Sequence, residues 1–216
     1  MLYLSPMDGL FIRHMFSNPW FFFSWSLIIV FSICVHEYAH ARAAVARGDF
    51  SASDHLTLNP LIQMGPLSLA ALLLLGFAWG SVPIQDKGSW RRTEQAWVAA
   101  VGPLSNLLLC ALFGMLAATA TRFLGQSPAA AFLFLAAQAN GILFALNLLP
   151  APMLDGWAVF ALLIPAMEGW RQRYGSPLSW AVLVLLIATP LADFIWKAGA
   201  GIAALFLNGA LRLWRL

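Results

Sequence analysis

The chain has 216 residues, 61% of them hydrophobic and only 10% charged, and its mean hydropathy is positive. Soluble globular domains carry about 25% charged residues, so this composition excludes one and points to an integral membrane protein. The net charge of +3 comes from basic residues in loops between apolar runs, a pattern that orients a chain in a bilayer and argues against nucleic acid as a partner.

Residues 1–17, with Pro6, Asp8, Arg13 and His14, read as an interfacial lead in which His14 is solvated. Phe21 to about Arg47 reads as one long helix, apolar first and amphipathic later, that stops at Gly48. Its Phe21-Phe22-Phe23 cluster reads as lipid-facing bulk, and the run is expected to be retained rather than cleaved as a signal peptide. Residues 49–60 are polar, with a Leu56-Thr57-Leu58 alternation that suggests a short strand or loop; residues 49–58 are a candidate edge for an extended partner. A second apolar run, Leu61 to Trp79, is interrupted by Gly65-Pro66 and Gly76. After a polar stretch from Gln85 to Glu94 come a third run, Ala96 to about Phe123, and a fourth, Ala129 to Leu149, which Pro150 and Pro152 break. Asp155-Gly156 and an apolar continuation to Met167 follow, then a basic loop with Arg171 and Arg173 and a run from Leu178 to Trp196. The tail from Gly199 to Leu216 reads as a last span or an interfacial helix. Trp20, Trp90, Trp170 and Trp196 flank apolar runs as interfacial anchors do. Cys34 and Cys110 both lie in apolar runs, where a structural disulfide is not expected.

The chemistry begins at His36-Glu37-Tyr38-Ala39-His40. Residues four apart share a helix face, so His36 and His40 reach one ion with Glu37 beside them. This is the H-E-x-x-H pattern, in which two imidazoles hold zinc and the carboxylate is the general base. A chance match at a helix end is the plain alternative, but ionisable groups at membrane depth are costly and are functional by default. Catalytic zinc usually takes three protein ligands and leaves a position for water. Asp155 is the strongest third candidate because it follows a broken helix, and irregular backbone at membrane depth lines cavities. On pattern alone, capping the next helix is an equal alternative for it. Asp193, Glu168 and His55 are weaker rivals in more polar surroundings. For Asp155 to share the depth of the His pair, an even number of crossings must separate them, so the segment 61–79 has to enter and leave on one side. The basic residues then gather on the same side as the site, which the positive-inside rule assigns to the cytoplasm. Asn140 and Asn147, seven apart on nearly one face, are candidates for holding substrate backbone or an oxyanion, with interhelical hydrogen bonding as the alternative.

These motifs stand in an ordered series: His36 to His40, Leu56-Thr57-Leu58-Asn59-Pro60, Val101-Gly102-Pro103-Leu104-Ser105-Asn106, Asn147-Leu148-Leu149-Pro150 and Leu154-Asp155-Gly156. Over roughly residues 17–165 the series resembles the site-2 protease family of intramembrane zinc metalloproteases, in its compact bacterial form without a PDZ domain. The resemblance implies His36, His40 and Asp155 as ligands of one Zn2+ per chain, Glu37 as general base, and a core of three spans. It implies an all-α, polytopic transmembrane bundle with a re-entrant segment and a broken helix, forming a single domain over 1–216 with its catalytic core at about 18–165 and C-terminal helices at about 176–216. It also implies a multi-pass protein of the bacterial inner membrane that hydrolyses a peptide bond in or near the transmembrane segment of a membrane-protein substrate, from a site open to the cytoplasmic side. The chain departs from the family pattern at Gln63 and Gly65, where relatives usually have His and Asp, and it lacks a basic residue in Ala78 to Pro83. A zinc-binding membrane protein without activity and a metal transporter are the competing readings. Glu37 counts against the first, and the lack of repeated halves counts against the second.

Overall fold

The computed structural model describes residues 10–85, 90–167, 169–170 and 191–213. Lys87, Glu168, the basic loop with Arg171 and Arg173, and the run from Leu178 to Pro190 lie outside the described residues. Among those described the fold is all-α, and four helices are long and apolar enough to cross a membrane. The protein is a polytopic, integral membrane chain with two compact units, Met1–Ile84 and Gln85–Leu216.

In the first unit a 3-10 turn (Phe11–Arg13) and a short helix α1 (His14–Ser17) lead into α2 (Pro19–Val45). The start of α2 is dictated locally: the Asn18 side chain accepts from Phe21 N at 3.2 Å, and Pro19 fills the first helical position, where no N–H is needed. Its 27 residues span about 40 Å, enough for the ~30 Å hydrocarbon core, and Gly48 beyond its end takes a left-handed φ of 85°. Phe21 and Phe22 are buried rather than lipid-facing, because the lead folds back and seats Phe11 against them at ring separations of 6.0 and 5.0 Å. Only Phe23 of the three faces out. His14 is half-buried at the edge of this cluster, 5.3 Å from the Phe21 ring.

Residues 49–58 form no strand. Phe50–His55 is a 3-10 helix, held by local side-chain bonds that a strand does not offer: the Asp49 carboxylate accepts from Ser51 N, and Ser53 Oγ donates to Phe50 O. Two short helices follow, α3 (Pro60–Gln63) and α4 (Gly65–Leu75). With 11 residues α4 reaches only about 16 Å, half the hydrocarbon thickness. At Gly76, with φ of 82°, the chain turns and comes back: Trp79 pairs with Ser68 through both N–H and C=O, and Ser81 N donates to Gln63 O at 3.1 Å. The segment is thus re-entrant, a helical leg in and a non-helical leg out. The residues bonded to Ser68 and Gln63, Trp79 and Ser81, lie two apart on the return leg, as they do where one edge of an extended segment is bonded. Burial along the return leg alternates accordingly, with Phe77, Trp79, Ser81 and Pro83 exposed and Ala78, Gly80 and Val82 half-buried.

The second unit contains α5 (Arg92–Leu124), α6 (Pro128–Asn147), α7 (Asp155–Leu163) and α8 (Leu191–Leu213). Glu94 closes the start of α5 by accepting from Arg91 N at 2.8 Å, and Ser127 Oγ accepts from Ala130 N at the start of α6. The three long helices meet through small residues, with Cys110, Ala137 and Ala203 fully buried at their junction. The helix α8 runs unbroken through Gly199, where the sequence suggested a boundary. Gly199 is a contact residue: a Cβ there would lie 2.5 Å from Ile142 N, and one on Gly141 would strike Gly199 O. Close backbone approach of this kind is how helices associate in lipid, where apolar side chains gain nothing by leaving hydrocarbon.

Gly199→Val is therefore expected to push α6 and α8 apart and to cost about 1–3 kcal/mol. Thermal unfolding in detergent checks this against Gly201→Val, whose site has open space.

Candidate metal centre

The first half of the site is built by one element. Four residues apart on α2, His36 and His40 point the same way, and their Nε2 atoms stand 3.0 Å apart with the rings nearly perpendicular at 75°. Two imidazoles bound to one tetrahedral zinc at ~2.0–2.1 Å place their nitrogens about 3.3 Å apart, so the pair is within a few tenths of an ångström of a shared-ligand geometry. Both rings are buried, as is Glu37 between them in sequence. Two buried imidazoles turned nitrogen to nitrogen are a donor set for a divalent cation of intermediate softness.

Glu37 lies against the return leg of the re-entrant hairpin. A Cβ on Gly80 would clash with the Glu37 side chain, so glycine lets the leg pass this close without displacing it. Three anchors bring it there. Trp25 Nε1 donates to Gly76 O at 2.8 Å and ties the tip to α2; Ser68 Oγ donates to Trp79 O at 2.6 Å and accepts from Trp79 N at 2.9 Å; Gln63 O receives Ser81 N. Pro83 O is taken by Ser51 Oγ at 2.7 Å. The bonded groups belong to Trp79, Ser81 and Pro83. Those of Ala78 and Gly80, which an extended chain turns to the opposite edge, have no hydrogen-bond partner among the described residues.

In the second unit Asp155 is half-buried at the first position of α7, just past the break at Pro150 and Pro152. The N-cap position falls on Leu154, one residue earlier, so Asp155 does not occupy the capping position. Gly156 packs against the carbonyls of Leu148 and Leu149 and fixes the break against the start of α7. Asn140 is fully buried and bonded into the helix pair: it accepts from Asn106 Nδ2 at 3.1 Å and donates to Ala136 O. Asn147 is half-buried near the break and donates to Leu143 O at 3.0 Å. His55 is tied through Nδ1 to Gln63 Oε1 at 3.0 Å, and Asp193 is exposed. Sequence reasoning did not find Gly80, Ser68 or Trp25. The local signal was only the interruption at Gly76, because their roles depend on which residues the hairpin brings face to face.

The chain has relatives among bacterial proteins. It is 30% identical over 180 residues to "Putative zinc metalloprotease YwhC" of Bacillus subtilis, covering 78% of this chain and 82% of that protein. It is 33% identical over 175 residues to "Putative zinc metalloprotease Rip2" of Mycolicibacterium smegmatis, covering 74% of this chain. With the Rip2 of Mycobacterium tuberculosis (strain H37Rv) the identity is 32% over 173 residues. The aligned part spans 64% of the length of either Rip2 protein. No protein-family model and no solved structure matches the chain.

The geometry separates ligand from neighbour. His40→Ala is expected to lose tightly bound divalent metal, measured by elemental analysis of the purified protein, whereas Gly80→Val, which crowds Glu37 first, is expected to retain it. Loss in both would mean that Glu37 and the ligands shift together.

Proposed function

This chain belongs to the site-2 protease family of zinc metalloproteases, and from that membership we propose that it is an intramembrane endopeptidase cutting a peptide bond in or near the transmembrane segment of a membrane-protein substrate. The observation that carries the reading is the pairing of His36 and His40 on α2 with the Glu37 carboxyl held against Gly80. A site kept only for binding has no use for a base placed this way.

His36 and His40, with Asp155 as third ligand, would hold one zinc ion. The support for Asp155 is its Leu154-Asp155-Gly156 setting beyond a broken helix and its position outside the cap of α7. When bound, zinc lowers the pKa of water toward about 7 and polarises the scissile carbonyl. Glu37 takes the proton from the attacking water and returns it to the leaving amine as the C–N bond breaks. Its buried surroundings keep bulk water from competing for that proton.

A substrate helix hides its carbonyls in its own hydrogen bonds, so it must unwind to be cut. The edge formed by Ala78 and Gly80 offers unwound backbone new partners beside Glu37, in the manner of strand addition. This edge takes the place of residues 49–58, whose 3-10 helix offers none. Asn147, near the break, is a further candidate for holding substrate backbone. Asn140 is engaged with Asn106 and serves helix association. The positive-inside rule, applied to Arg42, Arg47, Arg91 and Arg92, supports a site open to the cytoplasmic side of a bacterial inner membrane.

Glu37→Gln is expected to keep zinc and to lose cleavage of a transmembrane reporter by a factor of about 10² or more. Asp155→Ala is expected to lose zinc and activity together. Normal zinc in Asp155→Ala would remove it from the ligand set, and cleavage by Glu37→Gln would remove Glu37 as the base.

A further inference from the structure

Resting on the protease reading, and on the return leg as the edge that receives substrate, we propose that Gln63 and Ser68 set the register of that edge over Glu37 and so determine which peptide bond is cut. Gln63 is 1% exposed and its amide is fully used: Nε2 donates to His55 O at 2.8 Å and to Thr57 O at 2.5 Å, and Oε1 pairs with His55 Nδ1 at 3.0 Å. Its own carbonyl accepts from Ser81 N. One residue thus ties the turn at 55–57 to the return leg. Ser68, 0% exposed, grips the leg at Trp79 by both backbone groups. The two pins bracket Gly80 on either side.

The bracket matters because it favours one placement of the leg. Shifted by one residue, the leg would turn Trp79 or Ser81 toward Glu37; shifted by two, it would bring Ala78 or Val82, whose Cβ fits only if the Glu37 side chain gives way. Gly80 makes wrong placements costly, and the pins hold the leg in the right one. A substrate strand added to this edge inherits its position from it. Gln63 and Ser68 are thus positioning residues that never touch the reacting atoms.

The test reconstitutes the full chain with a transmembrane reporter and maps the products by mass spectrometry for wild type, Gln63→Leu and Ser68→Ala, alongside zinc content. Wild type is expected to cut one bond. Both variants are expected to retain zinc and to add cuts displaced by two residues, since strand pairing slips in steps of two without turning side chains over. A purely structural role would lower the yield of active enzyme but leave the cut in place. Cutting confined to the wild-type bond in Ser68→Ala, which loses a single hydroxyl and is the gentler change should Gln63→Leu fail to fold, overturns the proposal whatever the rate. A wild type that leaves the reporter whole overturns the protease reading beneath it.

Discussion

Backbone that leaves the helix inside a bilayer must find partners for its N–H and C=O groups, since each one left bare in hydrocarbon costs several kcal/mol. The return leg Phe77–Ile84 meets this demand on one side only. Ser68, Gln63 and Ser51 take the groups of Trp79, Ser81 and Pro83, and Trp25 fixes the turn at Gly76. Among the described residues, the backbone groups of Ala78 and of Gly80, which lies against Glu37, find no partner. In the proposed reaction that cost is not wasted. An unwound substrate offers the missing donors and acceptors, so binding relieves a penalty present in the free enzyme and the edge favours extended over helical substrate.

The same constraint explains why the site sits where it does. A long helix such as α2 satisfies its own backbone and so can carry His36, Glu37 and His40 at a fixed spacing without further support. Bringing a second strand of chain to the carboxyl requires a residue without a side chain, and Gly80 provides it. In the second unit, small residues do comparable work at Gly141 and Gly199, where they let α6 and α8 touch backbone to backbone. Both cases use absence of a Cβ to gain proximity, once for chemistry and once for association.

Much of this was legible in the sequence because it rests on local rules. The apolar runs, the break at Pro150 and Pro152, and the stop at Gly48 follow from chain length, proline and glycine, and the His36/His40 pair follows from helical spacing. The re-entrant path of 61–79 was legible only through crossing parity. Other features were hidden because they are tertiary. Phe21 and Phe22 read as lipid-facing until Phe11 is seen to cover them, and the Leu56-Thr57-Leu58 alternation suggested extended chain while Asp49 and Ser53 hold the preceding residues in a 3-10 helix. Gly199 read as punctuation because a sequence does not say which glycine another helix rests upon. The Gln63 amide likewise has no signature in one dimension.

The central claim is a metal-dependent cut inside a transmembrane segment, and the most direct measurement is cleavage of a membrane-embedded reporter by purified wild type in liposomes, with product masses read before and after chelation and after zinc is restored. Cleavage is expected within or beside the apolar segment, lost on chelation and regained with zinc. Cleavage that survives chelation, or a reporter left intact by zinc-loaded protein, would contradict it.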